Sequence, residues 1–454
     1  MFKSIKTLTL FGMILFLPLM VSVVDPQSVM ATVAVAEDKE KKEPKYKDVK
    51  TRKRQSVGVK CAKALERVQV AMEEERWDDS LTELNNIESS RKTCKKAYEQ
   101  TQIWKFQAIV YFSKDDFSSA INSFRKVVDS EGTPEDLRLD TRYTLAQLYT
   151  AEERYTEAAI ELEIWLDRST FVNNDARALL AQIYYQLDRK KDSLRMLELA
   201  IADVESKGKL PKERWWSLQR VLYHEKNDYK KVISILENLV KHYPKWTYWK
   251  QIGSMYGVQE RPIDQLVATE LVYINGELDK ESQVMGLAYM YLSAEVPYKA
   301  AQILAKGMED GIVKQNAKNL ELLGTSWTQA KDLISALKSM EAASKFSDSG
   351  DLQSNIADIY LNLGRDKEAY KASLKASKKG NLKYTDANYL SMGIALLNMH
   401  CYKDAITAFR KSLKAAKTKK RKRYPRQFIK YADAEGTRLG KLRDLGAKVP
   451  SCRK

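Results

Sequence analysis

The residues with the most definite chemistry in this 454-residue chain are its four cysteines, Cys61, Cys94, Cys401 and Cys452. No pair stands at CxxC spacing and no histidine cluster accompanies them, so metal ligation is the weak reading and disulfide formation the strong one. Four cysteines allow three pairings, and position alone leaves all three open. The three histidines are scattered: His224 is followed by Glu225, His242 precedes a helix break, and His400 adjoins Cys401. A histidine without a placed partner is more often a surface or packing residue than a general base.

Phosphate loops, GxSxG elbows, HExxH pairs and glycine-rich dinucleotide turns do not occur in the sequence. Glutamates are abundant but spread over solvated helix faces. A carboxylate glycosidase would need a separate globular domain for them. The chain is therefore read as a non-enzyme, with no catalytic residue, no metal or cofactor site and no small-molecule substrate.

The elements that position these residues are read from a ladder of aromatics. Tyr111, Tyr149, Tyr184, Tyr223, Tyr256, Tyr291, Trp327 and Tyr360 follow one another at spacings of 38, 35, 39, 33, 35, 36 and 33. Repetition at that period predicts stacked helical pairs. Three residues before most rungs stands a small residue (Ala108, Ala146, Ala181, Gly253, Ala288, Gly324, Ala357), and nine after many stands another (Ala120, Ala158, Ala300, Ala336, Ala369). A small residue lets one helix approach another, and an aromatic three positions on shares its face. The ladder itself is therefore assigned to the core.

This pattern resembles the tetratricopeptide repeat family, whose unit carries W-x2-L-G-x2-Y in its first helix and A-x3-F in its second. Trp104, Ala108, Tyr111, Ala120 and Phe124 follow it in one unit; Leu320, Leu323, Gly324, Trp327, Ala336 and Ala343 follow it in another. A weaker copy keeps Gly393, Ala405 and Phe409 with Leu396 at the aromatic position, and Arg220, Val232, Ser193 and Gln265 depart from the small residue expected. The resemblance implies an all-α, right-handed superhelical solenoid of about nine helix-turn-helix units over residues 59–417.

The ends carry charge. Residues 1–36 have a basic start, an apolar run from Leu8 to Val24 and an Ala34-Val35-Ala36 ending, the layout of a cleaved secretory signal. A periplasmic protein is expected, with an uncleaved anchor as the alternative. Residues 37–58 read as a flexible basic leader, since 37–56 hold nine Lys or Arg, five acids and almost nothing apolar. Between Lys411 and Ala432 stand ten basic residues and no acid, including Lys419, Lys420, Arg421, Lys422 and Arg423. Residues 418–454 are read as this basic segment and a capping helix over 425–446, because a solenoid needs its last apolar face covered. A net charge of +17 makes anionic lipid or wall polymer a plausible partner. No nucleic-acid-binding motif accompanies the charge.

In this repeat family the first helices line a groove. Counting from each ladder residue places Tyr143, Gln147, Gln182, Tyr185, Arg214 and His224 there, then Tyr289, Thr325, Gln329, Asp358 and Asn362. Lys105 occupies a position where some family members clamp a terminal carboxylate, but Ile109 replaces the polar residue expected one turn later. A second group of aromatics, Trp215, Trp216, Tyr243, Trp246, Tyr248 and Trp249, surrounds Pro244; Trp216 and Trp249 take core positions, while Trp215 and Trp246 are read as exposed candidates for a partner patch. The whole layout is similar to exported tetratricopeptide repeat proteins associated with TonB systems, which implies a partner among TonB, ExbB and ExbD.

The repeat geometry selects one disulfide pairing. Cys61 starts the first helix of its pair and Cys94 follows the second, and those ends are neighbours in an antiparallel hairpin. Cys401 lies in the turn of the last pair, and a returning capping helix delivers Cys452 to it. Non-reducing peptide mapping is expected to find Cys61–Cys94 and Cys401–Cys452, each contributing about 2–4 kcal/mol; a Cys61–Cys452 peptide would sink this pairing.

Overall fold

The computed structural model describes residues 45–47, 55–90 and 92–452. The expected signal at 1–36 lies outside the described residues, and the leader is described only at 45–47 and 55–58. Among the described residues the only extended pairing is an isolated antiparallel bridge between Tyr46 and Ser169; the rest is helices and turns.

Where the repeat alone suggests one body, the helices gather into two compact units, divided between Lys226 and Asn227. The first holds α1 (Val59–Glu73), α2 (Trp77–Ser90), α3 (Ala97–Ser113), α4 (Phe117–Asp129), α5 (Glu135–Ala151), α6 (Tyr155–Arg168), α7 (Asn174–Gln186), α8 (Lys190–Ser206) and α9 (Glu213–Glu225). The second holds α10 (Tyr229–His242), α11 (Trp246–Val258), α12 (Pro262–Ile274), α13 (Glu281–Ser293), α14 (Pro297–Glu309), α15 (Ala317–Gln329), α16 (Leu333–Ala343), α17 (Gly350–Asn362), α18 (Asp366–Lys379), α19 (Thr385–Asn398), α20 (Tyr402–Ala415) and α21 (Lys419–Asp444). Within each unit consecutive helices pack as antiparallel hairpins, α1 on α2 through α7 on α8 and α11 on α12 through α19 on α20. Each unit is thus an all-α stack of repeats. Among the described residues these hairpins number nine between residues 59 and 417, the number expected, with α9 closing the first unit and α10 opening the second.

The hairpins share one turn chemistry. The first helix ends in a residue of left-handed φ, such as Asp115 (58°), Glu153 (56°), Asp188 (57°), Glu260 (53°) and Glu295 (59°). The next N–H then bonds back to the carbonyl of the ladder residue: Asp116 to Tyr111 at 2.9 Å, Arg154 to Tyr149 at 2.7 Å, Arg189 to Tyr184 at 2.8 Å and Arg365 to Tyr360 at 2.9 Å. This closes the helix end and satisfies a carbonyl that would otherwise lack a partner. The donor residue does a second job. As Asp116 or Asp332 it caps the following helix, accepting from Ser119 N (3.0 Å) or Ser335 N (3.1 Å). As Arg154, Arg189, Arg261 or Arg365 it lies over the ladder ring, 4.6, 4.0, 4.4 and 4.8 Å from its centroid.

Four of the eight ladder rings, Tyr149, Tyr184, Tyr223 and Tyr291, are buried, and Tyr111, Tyr256, Trp327 and Tyr360 are half-buried. Tyr184 donates to Glu163 at 2.7 Å, Tyr360 to Glu341 at 2.6 Å and Tyr223 to Glu198. Each acceptor stands on the second helix of the preceding hairpin, so each such bond ties neighbouring repeats.

Every alanine of the two small-residue positions is fully buried. Two of the four departures, Ser193 and Gln265, have local solutions. Ser193 is buried and donates to the Ala181 carbonyl at 2.6 Å, so a hydroxyl fits where alanine is usual. Gln265 fits because it faces Gly257, where a Cβ would come within 2.7 Å of its amide nitrogen.

Both disulfides form as paired above, with Cα atoms 4.9 Å apart for Cys61–Cys94 and 4.5 Å for Cys401–Cys452. At the first end Glu99 accepts from Gly58 N (2.8 Å) and Lys96 N (2.9 Å). Burial opposes its charge, but these N–H groups hold its carboxyl below the usual range. At the other end the capping helix begins at Lys419, not at 425. Thr418 caps it, accepting from Arg421 N at 3.3 Å, so the helix starts upstream and runs through Pro425. The basic run is therefore its opening turns. Phe428 stacks on the buried Phe409, centroids 5.2 Å apart and 14° between planes.

Phe409 fills the space beside Gly393, where an added Cβ would lie 2.3 Å from its ring. Gly393→Ala should therefore destabilise the second unit by about 1–3 kcal/mol in a denaturant melt. Gly253→Ala, whose Cβ would meet Ala268 at an ordinary 3.5 Å, should stabilise it by about 0.5–1 kcal/mol. Equal effects from the two would contradict this packing.

Candidate peptide-binding face

Nine, six and two residues before a ladder rung lie on one side of a first helix. In the first unit these places hold Asp140, Tyr143 and Gln147 on α5, Asp175 and Gln182 on α7, Arg214 on α9 and Lys105 on α3. The structure brings several of them together. Arg214 and Lys212 both pair with Asp175, at 3.3 and 2.6 Å. The Tyr143 hydroxyl senses both charges: burial raises its pKa, Asp175 adds to the rise and Arg214 opposes it. The Tyr143 ring lies on Trp165, centroids 4.6 Å apart. Burial lowers the pKa of Lys105, against the pull of Asp140. Ile109 is buried in the core, where it has no part in a clamp.

Tyr185 donates to Glu225 at 2.9 Å, and Lys190 pairs with the same carboxylate at 3.1 Å. Burial and that bond raise the Tyr185 pKa. Gln147 and Gln182 are half-buried and His224 is exposed.

A further group on this unit was not found from the sequence. Tyr46, from the leader, is 1% exposed. Its hydroxyl donates to Asp140 and accepts from Trp165 Nε1 at 3.0 Å. Its pKa is raised, first by burial and then by Asp140. The backbone on either side pairs with the chain after α6: Lys47 N donates to Arg168 O (2.8 Å) and Thr170 N to Lys45 O (3.2 Å). Lys45 pairs with Asp140 and Lys47 Nζ donates to Asp167 O at 2.7 Å. Asp140 and Asp175 carried a readable signal, since they occupy the same place nine residues before their rungs. Tyr46 carried none, because nothing in a lysine-rich stretch shows which helix it meets.

In the second unit, Tyr289 is exposed. Glu321 on α15 and Asp351 and Asp358 on α17 occupy the corresponding places. Burial and the charge of Asp351 raise the Glu321 pKa. Asp358 is also raised by its surroundings, against a bond that Ser391 donates. Asn362 folds back to donate to Asp358 O at 2.8 Å, while Gln329 is exposed and Thr325 half-buried. Asp358 belongs to the groove assignment made from the sequence, whereas Glu321 and Asp351 do not.

Two expectations change. Trp215 is buried at 4% exposure, not open to a partner: it lines a cavity of about 460 Å³ with Val172, Asp175, Leu210 and Lys212, and the Lys212 ammonium sits 5.8 Å over its ring. Trp246 is half-buried in the second unit's core, and Tyr248 is buried. In the basic turn, Arg421 pairs with Asp386 at 3.0 Å and lies 4.4 Å over Tyr384. Lys419, Lys420 and Arg423 are exposed and Lys422 half-buried. Among the described residues no cluster of His, Cys, Asp and Glu is placed to hold a metal, and no helix is long and apolar enough to cross a membrane.

No family model matches the chain, and no curated protein matches it. Among solved structures it is similar to a tetratricopeptide repeat protein from Parabacteroides merdae, at 12% identity over 55% of this chain and 94% of that one, TM-score 0.34. It is also similar to YrrB, described as a TPR protein with an unusual peptide-binding site, at 16% identity over 43% of this chain and 92% of that one, TM-score 0.33. Yeast Tom70 matches at 10% identity over 84% of this chain and 96% of that one, TM-score 0.26. With every TM-score below 0.5 these likenesses carry no functional argument, and the repeat fold stands on the hairpins themselves.

The raised Glu321 carboxyl has a pH consequence. Its folded pKa lies above its unfolded one, so ionisation costs stability above the folded value, and the cost disappears as pH falls through the ordinary carboxylate range. Glu321→Gln should therefore raise the melting temperature at pH 7 and leave it unchanged near pH 3. A gap that widens on acidification would contradict the assignment.

Proposed function

We propose that this chain is a periplasmic scaffold that holds an extended segment of another protein, serving as an accessory component of a TonB, ExbB and ExbD system for iron or haem uptake. The observation that carries the scaffold reading is the first-helix face of each unit. It repeats with the ladder and presents Tyr185, Gln182 and Arg214 in one unit and Tyr289, Glu321 and Asp358 in the other. Tyrosine and arginine give large contact area with directed polar groups. An extended segment is the ligand such a repeated face suits, and TonB crosses the periplasm as one. Export and the TonB partner rest on the N-terminal pattern and on the resemblance of the whole layout.

A second reading is favoured by one observation, the exposed Lys419, Lys420 and Arg423 in the opening turns of α21. In that reading the basic turn holds anionic lipid or wall polymer and the repeats act as a spacer.

A photo-cross-linker at Tyr185 or Tyr289 is expected to yield adducts with TonB, ExbB or ExbD in cells. Adducts with wall or assembly factors instead would remove the TonB assignment and keep the scaffold. Neutralising Lys419, Lys420 and Arg423 should leave those adducts unchanged; loss of membrane or wall sedimentation in that variant would favour the second reading.

A further inference from the structure

The seat of Tyr46 has the parts of a peptide-reading site. One wall is aromatic: Trp165 meets Tyr143 at 4.6 Å, Phe171 edge-on at 5.8 Å and Tyr46 itself edge-on at 6.5 Å. At its base Asp140 and Trp165 Nε1 take the two hydrogen-bonding roles of a phenol, one accepting its proton and the other donating to its oxygen. Along its rim the backbone from Arg168 to Thr170 offers a carbonyl and an N–H to an antiparallel strand. Asp140 and the Asp167 carbonyl each receive a lysine ammonium. Main-chain pairing supplies affinity and a side-chain pocket supplies selectivity, as in other cases of strand addition.

Residues 45–47 occupy the seat through the Tyr46–Ser169 bridge and side-chain bonds to Asp140, Trp165 and the Asp167 carbonyl. A segment outside the helical hairpins can leave its seat without unfolding them, so its opening has a local rather than a global cost. Because it belongs to the same chain its binding is intramolecular, with an effective concentration on the order of millimolar.

We propose that this notch is a tyrosine-reading site for an extended Lys-Tyr-Lys-like segment of a partner protein, held closed in the resting chain by its own residues 45–47. The reading deepens the scaffold function and rests on it only in that the ligand is a peptide. The hydroxyl sets the selectivity, since phenylalanine would leave the Trp165 N–H and the Asp140 carboxylate without their partner. The flanking lysines set the direction, one on Asp140 and one on the helix end at Asp167. A free segment competes with the leader, so occupancy by a partner rises when the leader is withdrawn or changed.

The test uses the full chain and a fluorescent peptide of residues 41–50. The peptide should bind the Tyr46→Ala chain at least tenfold more tightly than the wild type. Its own Tyr46→Ala form should not bind, and adding Asp140→Asn to the chain should abolish binding. Where Tyr46→Ala lowers the melting temperature, Tyr46→Phe keeps the ring and should still bind the peptide several-fold more tightly than wild type. Equal binding to wild type and variant, absence of binding to both variants, or binding that survives loss of the peptide's tyrosine would each overturn the proposal. None of these outcomes touches the cross-linking at Tyr185 and Tyr289, so the scaffold reading is judged separately.

Discussion

The close approach of paired helices at the small-residue positions is the constraint on which the rest of the molecule depends. With Ala108 against α4 or Ala146 against α6, side chains no larger than a methyl group let the two helices of a hairpin touch along their length. The ladder aromatic then fills the space one turn further on. Its carbonyl closes the hairpin turn, and the hydroxyl of a tyrosine such as Tyr184 reaches the preceding repeat. One residue thus links the turn, the hairpin and the stack. This explains why the ladder keeps its period through changes in nearly every other position.

Where the small residue is missing, the stack adjusts in ways set by size and polarity. Ser193 fits because its hydroxyl finds the Ala181 carbonyl. Gln265 fits because Gly257 leaves it room. Arg220, three residues before Tyr223, has the bulk of a guanidinium where other first helices carry alanine or glycine. It stands on α9, the last helix before the chain divides into its second unit.

The terminal repeats each lack one neighbour, and each is reinforced by different means. At the first end a disulfide joins α1 to the segment before α3, and the buried Glu99 ties the entry to α1 to the start of α3. At the last end α21 lays Phe428 on Phe409, Arg421 on Asp386 and Tyr384, and the Cys452 disulfide on the α20 cap. Arg421 belongs to this packing, which leaves Lys419, Lys420 and Arg423 as the outward charges of the basic run.

The hairpins, the core membership of the ladder and the pairing of the cysteines were legible in the amino-acid order. They follow from local rules: helical period, the size of a residue at a crossing, and the adjacency of ends in an antiparallel pair. α21 starts at Lys419 rather than at 425 because the Thr418 cap lies upstream, within the basic run. The burial of Trp215, the charge of Asp351 near Glu321, and above all the seat of Tyr46 were decided only by the tertiary structure. Each depends on which side chains from distant parts of the chain surround the group. Tyr46 and Asp140 are 94 residues apart, and no local rule brings a tyrosine from a lysine-rich leader to one carboxylate rather than another. Burial and hydrogen-bond geometry make that choice once the helices are stacked.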